Sequence, residues 1–246
     1  MSARRVGLIV PSSNTTMETE VPAILRAPPR DGERFTFHSA RARMRRVTGE
    51  ELRAMNEQTE RAAAELADAE PHAVATACLV AIMAQGPGHH RVAEEQIAAV
   101  LEREGSPAPV VSSAGALLAA LRALGAHRIA MVTPYTAPLA RLVVDYIEDA
   151  GFEVRDVVNL AVDDNRAVAA LDPAGLREHW RRLDLSGCDA LVLSACVQMP
   201  SLPVLAEVEA ESGLPTLSAA TATAWALLDA LGLEPAAPDA RRLLVE

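Results

Sequence analysis

The sequence predicts an α/β protein made of two similar halves, each with a four-stranded parallel sheet flanked by helices. Apolar strand-like runs alternate with helical patterns along all 246 residues, which is typical of parallel α/β folds. Two segments repeat each other, Thr76-Ala77-Cys78-Leu79-Val80 and Ser194-Ala195-Cys196-Val197-Gln198. Val10-Pro11 also matches Thr133-Pro134, and Pro109–Ser112 matches Pro215–Ser218. We therefore expect two domains related by a pseudo-twofold axis.

The first half alternates four strand signals with helix signals. The apolar run at 6–10 stops at Pro11, and Asn14 is a candidate N-cap for the next helix. Thr48-Gly49-Glu50-Glu51 has the pattern of a capping box, which predicts a long helix. Gly125 is expected to close the helix that precedes it. The predicted strands are 6–10, 34–39, 73–78 and 109–112, and the predicted helices are 14–25, 48–69, 90–104 and an Ala- and Leu-rich segment through 124.

The second half repeats this alternation. Its predicted strands are 128–133, 153–160, 189–195 and 215–217, and its predicted helices are 139–150, 173–183, 202–211 and 219–231. Sequential elements joined by short connections usually stay adjacent, so we expect the last helix to return to the first domain. The predicted N-terminal domain is 1–115 plus 220–246, with Asn14 and Cys78. The predicted C-terminal domain is 116–219, with Tyr135, Asn165 and Cys196.

Composition narrows the functional classes. A net charge of −10 argues against a nucleic-acid partner, and no apolar run is long enough to span a membrane. Arg41, Arg43, Arg45 and Arg46 form the only basic cluster, expected to be solvated or paired with a local carboxylate. Three cysteines without a secretion signal indicate reduced thiols in the cytoplasm.

The chain contains no lysine, which excludes a lysine Schiff base and a Walker A loop. It also contains no G-x-G-x-x-G motif, and the adjacent His89 and His90 lack the spacing of metal ligands. We therefore predict neither an organic cofactor nor a metal.

The two repeated cysteines are the strongest functional signal. Each follows an apolar strand-like run, and a helix-like stretch comes next. Open parallel sheets place reactive groups at the carboxyl ends of their strands. We therefore predict a site between the halves, in which one of Cys78 and Cys196 acts as nucleophile or base and the other as acid. Cys188 lies outside the repeat and is expected to be a buried core residue.

Three longer segments resemble the maleate cis-trans isomerases of the Asp/Glu racemase superfamily. They are Val10-Pro11-Ser12-Ser13-Asn14-Thr15-Thr16-Met17-Glu18, Ala77-Cys78-Leu79-Val80-Ala81 and Ser194-Ala195-Cys196-Val197-Gln198-Met199-Pro200. The resemblance extends through Thr133-Pro134-Tyr135 and Asp163-Asp164-Asn165 and covers nearly the whole chain. A paired Ala-Cys alone would indicate only the superfamily.

The resemblance implies an activity and a set of site residues. In that family one cysteine adds to maleate, giving an S-succinyl cysteine, and the other supplies a proton. The matching residues are Cys78 as nucleophile and Cys196 as proton donor. The substrate-holding residues of the family match Asn14, Tyr135 and Asn165. The resemblance also implies conversion of maleate to fumarate without a cofactor, a homodimer and a place in nicotinate breakdown.

The segments around the cysteines carry no arginine. Residues 187–222 contain no basic residue, and 71–90 contain only histidines. A dicarboxylate must then be held by neutral donors, which are the side chains above and the backbone N–H groups of Leu79, Val80, Val197 and Gln198. Helix N-termini beside the thiols predict a lowered pKa for Cys78, while Cys196 must stay protonated to act as an acid.

Three other readings remain open from the residues. A cofactor-independent amino-acid racemase of the aspartate or glutamate type uses two cysteines in the same geometry. Arylmalonate decarboxylase is a weaker fit, because it has a single catalytic cysteine. A two-lobed protein that binds a small anion would leave the paired thiols without a purpose.

Overall fold

Two parallel sheets of four strands each form the core of the protein. The computed structural model describes residues 3–27 and 32–234. The strands are β1 (Arg4–Pro11), β2 (Phe35–Ala42), β3 (Ala73–Thr76), β4 (Val110–Ser112), β5 (Arg128–Thr133), β6 (Glu153–Asn159), β7 (Ala190–Ser194) and β8 (Thr216–Ser218). The first sheet has the order β2-β1-β3-β4 and the second the order β6-β5-β7-β8. The equal strand orders confirm the predicted fold class.

Helices flank both sheets. They are α1 (Met17–Arg26), α2 (Gly49–Asn56), α3 (Thr59–Ala67), α4 (Leu79–Met83), α5 (His89–Arg103), α6 (Ser113–Ala123), α7 (Ala137–Asp149), α8 (Asn165–Ala169), α9 (Leu176–His179), α10 (Leu202–Ser212) and α11 (Ala219–Ala230). Within the described ranges, none of these helices has the length and apolarity needed to cross a membrane.

The central strands β1 and β3 are buried on both faces, as expected for a parallel sheet covered by helices. Gly7 lies in β1, opposite Val74 of β3. A Cβ atom at this position would lie 3.1 Å from Val74 Cγ2 and 3.2 Å from Leu66 Cδ1. A glycine in this strand therefore lets α3 pack closely on the sheet.

The predicted helix over 48–69 is wrong in one respect, because it is two helices. α2 ends at Asn56 and α3 begins at Thr59. The Gln58 amide between them accepts from the Arg43 N–H and donates to the Ala54 carbonyl. The two helices also pack on different surfaces, α2 on α4 and α3 on β2 and α5.

The predicted capping box is half formed. The Thr48 hydroxyl accepts from the Glu51 N–H at 3.4 Å. The Glu51 carboxylate does not return the bond, since it accepts from the backbone N–H groups of Arg45 and Arg46 at 2.5 and 2.9 Å. These two N–H groups lower the pKa of Glu51.

Other elements also differ from the expectation. The predicted helix over 173–183 consists of α9 between two short 3₁₀ turns, Pro173–Gly175 and Trp180–Arg182. Asn165 begins the short helix α8, which is not among the predicted helices.

The last helix, α11, packs against α1, α6, β3 and β4, and also touches β8. Most of these elements belong to the predicted N-terminal domain. The domain boundaries 1–115 plus 220–246 and 116–219 stay a prediction. Residues 1–2, 28–31 and 235–246 of the predicted N-terminal domain lie outside the described residues.

Candidate active site

Cys78 and Cys196 occupy equivalent places at the carboxyl ends of two strands. Each lies two residues beyond the end of its strand, since β3 ends at Thr76 and β7 at Ser194. Cys78 is the N-cap residue of α4. Cys196 instead precedes a turn, and α10 begins only at Leu202. Both cysteines belong to one continuous buried cluster that joins the two halves. The expectation of a helix N-terminus beside each thiol therefore holds only at Cys78.

The expected lowering of the Cys78 pKa is wrong. Burial, with a smaller contribution from the nearby Cys196, raises the pKa of Cys78 to about 12. The N–H groups of Ala81 and Val80 act in the opposite direction, but they do not offset the loss of solvation. The sequence shows the helix N-terminus, but the depth of burial depends on packing between the halves.

Cys196 is held as a thiol by similar forces. Burial raises its pKa, and the Tyr135 hydroxyl and the N–H groups of Gln198 and Met199 offset part of that rise. The Gln198 N–H lies 3.4 Å from the Cys196 sulfur. A protonated Cys196 is what the sequence analysis expected of a proton donor. Two of the predicted backbone donors bind a sulfur atom, the Val80 N–H at Cys78 and the Gln198 N–H at Cys196. The other two, Leu79 and Val197, are buried and directly follow the two cysteines.

The N-cap residue of α1 is Thr16 rather than the predicted Asn14, but Asn14 still binds the start of this helix and also carries a free donor. Its Oδ1 accepts from the N–H groups of Thr16 and Met17, at 3.0 and 2.9 Å, at the start of α1. Its Nδ2 is completely buried and has no hydrogen-bond partner among the described residues. An unpaired buried amide is costly in a folded protein. This group is therefore available to a ligand in the site.

Asn165 and Gln198 connect the two halves around the site. Asn165 Nδ2 donates to the Ser13 hydroxyl at 2.8 Å. The Gln198 amide donates to the carbonyls of Ser13 and Asn165, both at 2.8 Å, and accepts from the Thr15 N–H at 3.0 Å. The sequence predicts only a backbone role for Gln198. Its side chain joins three segments that are far apart in the chain.

Tyr135 lies between the halves in the same buried cluster. Its hydroxyl donates to the Ala195 carbonyl at 3.2 Å. Burial raises the pKa of Tyr135 well above its usual range, and Cys196 and Cys78 raise it further. The phenol therefore stays neutral, and it positions the backbone immediately before Cys196.

Ser13 and Glu20 make contacts between distant segments that the sequence did not predict. The Ser13 hydroxyl donates to the Met44 carbonyl at 2.6 Å and accepts from Asn165. The buried Glu20 carboxylate accepts from the N–H groups of Ser201 and Leu202, at 2.7 and 2.8 Å, and so caps α10 from α1. Burial raises the pKa of Glu20. Ser13 stands in a segment that carries the resemblance, whereas the contact of Glu20 spans 181 residues and has no local signal.

The basic cluster is divided between two environments. Arg41 pairs with Glu18 and donates to the carbonyls of Ser12 and Asn14, which is the carboxylate partner that the sequence suggested. Arg45 and Arg46 line a cavity of about 630 Å³ beside the site, together with Ser12, Ser13, Asp164 and Arg166. Among the described residues, no group of three or more His, Cys, Asp or Glu side chains could hold a metal ion.

Comparison with known proteins agrees with this geometry. The sequence profile of a family described as arylmalonate decarboxylase matches residues 6–244. A maleate isomerase from Geobacillus stearothermophilus is 51% identical over 242 residues, which cover 98% of this chain and 96% of that protein. The crystal structure of a variant of the maleate isomerase Iso from Pseudomonas putida S16 with maleate is 50% identical. It superposes with a TM-score of 0.96 and covers 99% of this chain and 98% of that one.

A third protein carries a reaction intermediate. It is a cysteine-to-serine variant of the Nocardia farcinica maleate cis-trans isomerase with a covalently bound succinylcysteine. It is 51% identical to this chain, with a TM-score of 0.96, and the match covers 99% of this chain and 98% of that one. The fold and the paired thiols define an enzyme of the Asp/Glu racemase-like class. The chain belongs to the maleate isomerase family, and it is an isomerase.

Proposed function

We propose that this protein converts maleate to fumarate by addition and elimination of the Cys78 thiol, with Cys196 as the proton donor. The observation that carries the proposal is the pair of neighbouring buried thiols, each two residues beyond an equivalent strand. A double bond cannot rotate until its π bond is broken. A thiol is suited to this task because sulfur is both a good nucleophile and a good leaving group.

The first half of the reaction forms the carbon–sulfur bond. The Cys78 sulfur attacks C2 of maleate, the C2–C3 π bond breaks, and C3 takes the proton of the Cys196 thiol. The product is an S-succinyl cysteine at position 78 and a thiolate at position 196. The raised pKa of Cys196 supports this step, because the residue enters it with its proton in place.

The second half returns both cysteines to their starting states. After rotation about the C2–C3 single bond, the Cys196 thiolate removes the proton from C3. The double bond forms again as the C2–S bond breaks, and fumarate is released. The steps balance without any net oxidation or reduction. They therefore need no electron acceptor.

The proton of Cys78 also needs an acceptor. Because burial raises the pKa of this thiol to about 12, the resting sulfur carries its proton. The basic group that enters the site with the substrate is a carboxylate. In our proposal the thiol proton moves to a substrate carboxylate as sulfur attacks, and returns to sulfur when fumarate leaves. Protonation also makes the carboxylate a better acceptor for the developing negative charge.

Neutral groups hold the substrate in this proposal. The unpaired Asn14 Nδ2 donates to one carboxylate. Asn165 and the Tyr135 hydroxyl come from the second half of the chain, and the backbone N–H groups of Leu79, Val80, Val197 and Gln198 lie next to the cysteines. An arginine among them would stabilise Cys196 as a thiolate and weaken it as an acid. Neutral donors therefore suit both the substrate and the proton transfer.

The relatives support the substrate and the adduct. Maleate is bound to the Pseudomonas putida S16 enzyme, and the Nocardia farcinica enzyme carries a succinylcysteine. The assignment of Cys78 as nucleophile and Cys196 as acid follows the resemblance of the segments that contain them.

The experiment is a comparison of two substrates. Incubation with maleate should give fumarate, detected by its absorbance and by NMR, while L-aspartate and L-glutamate should keep their optical rotation. Loss of rotation without fumarate would instead establish the racemase alternative. The matched control is Cys188→Ser, which changes the third cysteine, outside the site, and should retain full activity.

The biological setting is also a proposal. The three cysteines of this chain support a reducing compartment, the cytoplasm, and the resemblance implies a homodimer that acts in nicotinate breakdown. A deletion strain grown on nicotinate should accumulate maleate, and light scattering should give twice the mass of one chain. Normal growth on nicotinate without maleate accumulation would remove the pathway assignment.

A further inference from the structure

The cavity beside the candidate site has a charge opposite to that of the whole protein. The chain has a net charge of −10. The cavity of about 630 Å³ is lined by three arginines and one aspartate, with Ser12 and Ser13 between them. Its lining therefore has two net positive charges. A small anion approaching this protein meets repulsion over most of the surface and attraction at this opening.

The cavity is lined by residues next in sequence to two residues of the candidate site. Ser12 and Ser13 immediately precede Asn14, and Asp164 and Arg166 flank Asn165. The segment of Arg45 is tied to the opposite half, because the Asn165 N–H donates to the Arg45 carbonyl at 3.4 Å and the Val47 N–H to the Asp163 carbonyl at 3.3 Å. The arginines are thus held where the two halves meet, beside the segments that carry Asn14 and Asn165.

The positive charge of this opening is only partly neutralised. Arg166 pairs with Asp164 at 3.4 Å. Neither Arg45 nor Arg46 forms a salt bridge with another residue in the described ranges. Glu51 accepts hydrogen bonds from their backbone N–H groups, and its charge offsets part of theirs. Two exposed guanidinium groups remain directed to solvent and to the cavity.

We propose that Arg45, Arg46 and Arg166 form an entry site that captures the dicarboxylate as a dianion and passes it to the neutral donors inside. The inference rests on the proposed function, and it assigns the arginines no part in the chemistry. Capture of the dianion and proton donation by Cys196 would conflict if both took place beside the same cations, and the entry site keeps them apart. Cations attract the dianion from water, but beside Cys196 they would hold that thiol as a thiolate. Charge at the entrance serves capture without disturbing the acid.

The test measures how kcat/KM for maleate depends on salt concentration in the wild type and in variants that remove or restore the charge at positions 45 and 46. For the wild type, kcat/KM should fall as ionic strength rises, because salt screens the entrance. The double variant Arg45→Gln, Arg46→Gln should lose about tenfold in kcat/KM at low salt and almost all of the salt dependence. Lysine at both positions should restore both quantities, and kcat should change little throughout.

A matched control is Arg103→Gln. Arg103 is exposed in the last turn of α5, which leads towards the start of β4, at the amino edge of the sheet and away from the site. This variant should keep the salt dependence of the wild type. The proposal is overturned if the double glutamine variant keeps the wild-type kcat/KM and slope, or if lysine fails to restore them. Failure of the proposed function would look different, since the wild type would then give no fumarate at any salt concentration.

Discussion

The Cys196 thiol lies close enough to Cys78 that a negative charge on Cys196 raises the pKa of Cys78. Burial acts on both sulfur atoms in the same direction. Two thiolates in one buried site would repel each other strongly. The pair therefore holds at most one negative charge at a time, which is the condition for one cysteine to attack while the other gives a proton.

The first prediction concerns the pH dependence of the reaction. In the proposal the reacting species are the protonated Cys78 thiol and the maleate dianion. Neither gains nor loses a proton between about pH 7 and about pH 9, so kcat/KM should be flat over this range. It should fall in acid as the substrate is protonated. A reaction that started from a thiolate at Cys78 beside a dianion would instead rise about tenfold per pH unit, because the folded-state pKa is about 12. Steady-state kinetics across this range distinguish the two.

The second prediction concerns stability. The pKa of Cys78 rises from 9.0 to about 12 on folding, so the stabilisation from its neutral form is complete below about pH 9 and is lost as pH rises towards 12. The free energy of unfolding of the wild type should fall more steeply above about pH 9 than that of Cys78→Ser, by up to about 1.4 kcal/mol per pH unit. Urea unfolding at several pH values measures both slopes. Equal slopes would mean that Cys78 titrates as it does in water.

A third prediction separates the two roles of Asn14. Asn14→Ala removes the acceptor for the backbone at the start of α1 and the free Nδ2, and should lower both stability, by about 0.5–2 kcal/mol, and kcat/KM, by about tenfold to hundredfold. Asn14→Ser keeps a side-chain oxygen that can accept from this backbone but lacks the amide donor, and it buries no charge. It should lose less stability than Asn14→Ala and about as much kcat/KM. A Ser variant with wild-type kinetics would remove Asn14 from substrate binding.

The contacts of Gln198 give a fourth prediction. Gln198→Met removes three hydrogen bonds and leaves the Thr15 N–H and the carbonyls of Ser13 and Asn165 without this partner. Stability should fall by about 1–3 kcal/mol, and kcat/KM should fall with it. The matched control is Gln85→Met, since the Gln85 amide donates only at 3.5 Å to Ala81 in the preceding turn. Equal effects of the two variants on unfolding and kinetics would contradict a connecting role for Gln198.

The fold could be predicted from the sequence because its signals are local. Strand-like runs and caps such as Thr48 and Ser218 act within a few residues, and the repeated cysteine segments reveal the two halves. The break between α2 and α3 could not be predicted in the same way. It depends on packing against separate surfaces and on a hydrogen bond from the Arg43 N–H to Gln58, which lies 15 residues away.

The site was predictable to the extent that its residues lie in motifs. The two cysteines, Asn14 and Tyr135 stand at strand ends or in the segments that carry the resemblance. The side-chain role of Gln198 could not be predicted, because its partner Thr15 lies 183 residues away and its partner Ser13 lies 185 residues away in the chain. The direction of the Cys78 pKa was wrong for a related reason, since burial arises only when both halves assemble around the sulfur.

The most direct test of the account is the position of the covalent adduct. The protein is incubated with maleate, quenched in acid, digested and mapped by mass spectrometry, using Cys196→Ser to slow the proton transfers and Cys78→Ser as the matched control. We expect that one peptide, the one containing Cys78, gains the mass of maleic acid, and that Cys78→Ser gains none. An adduct on Cys196 in the wild type or in Cys78→Ser would contradict the assignment of nucleophile and acid.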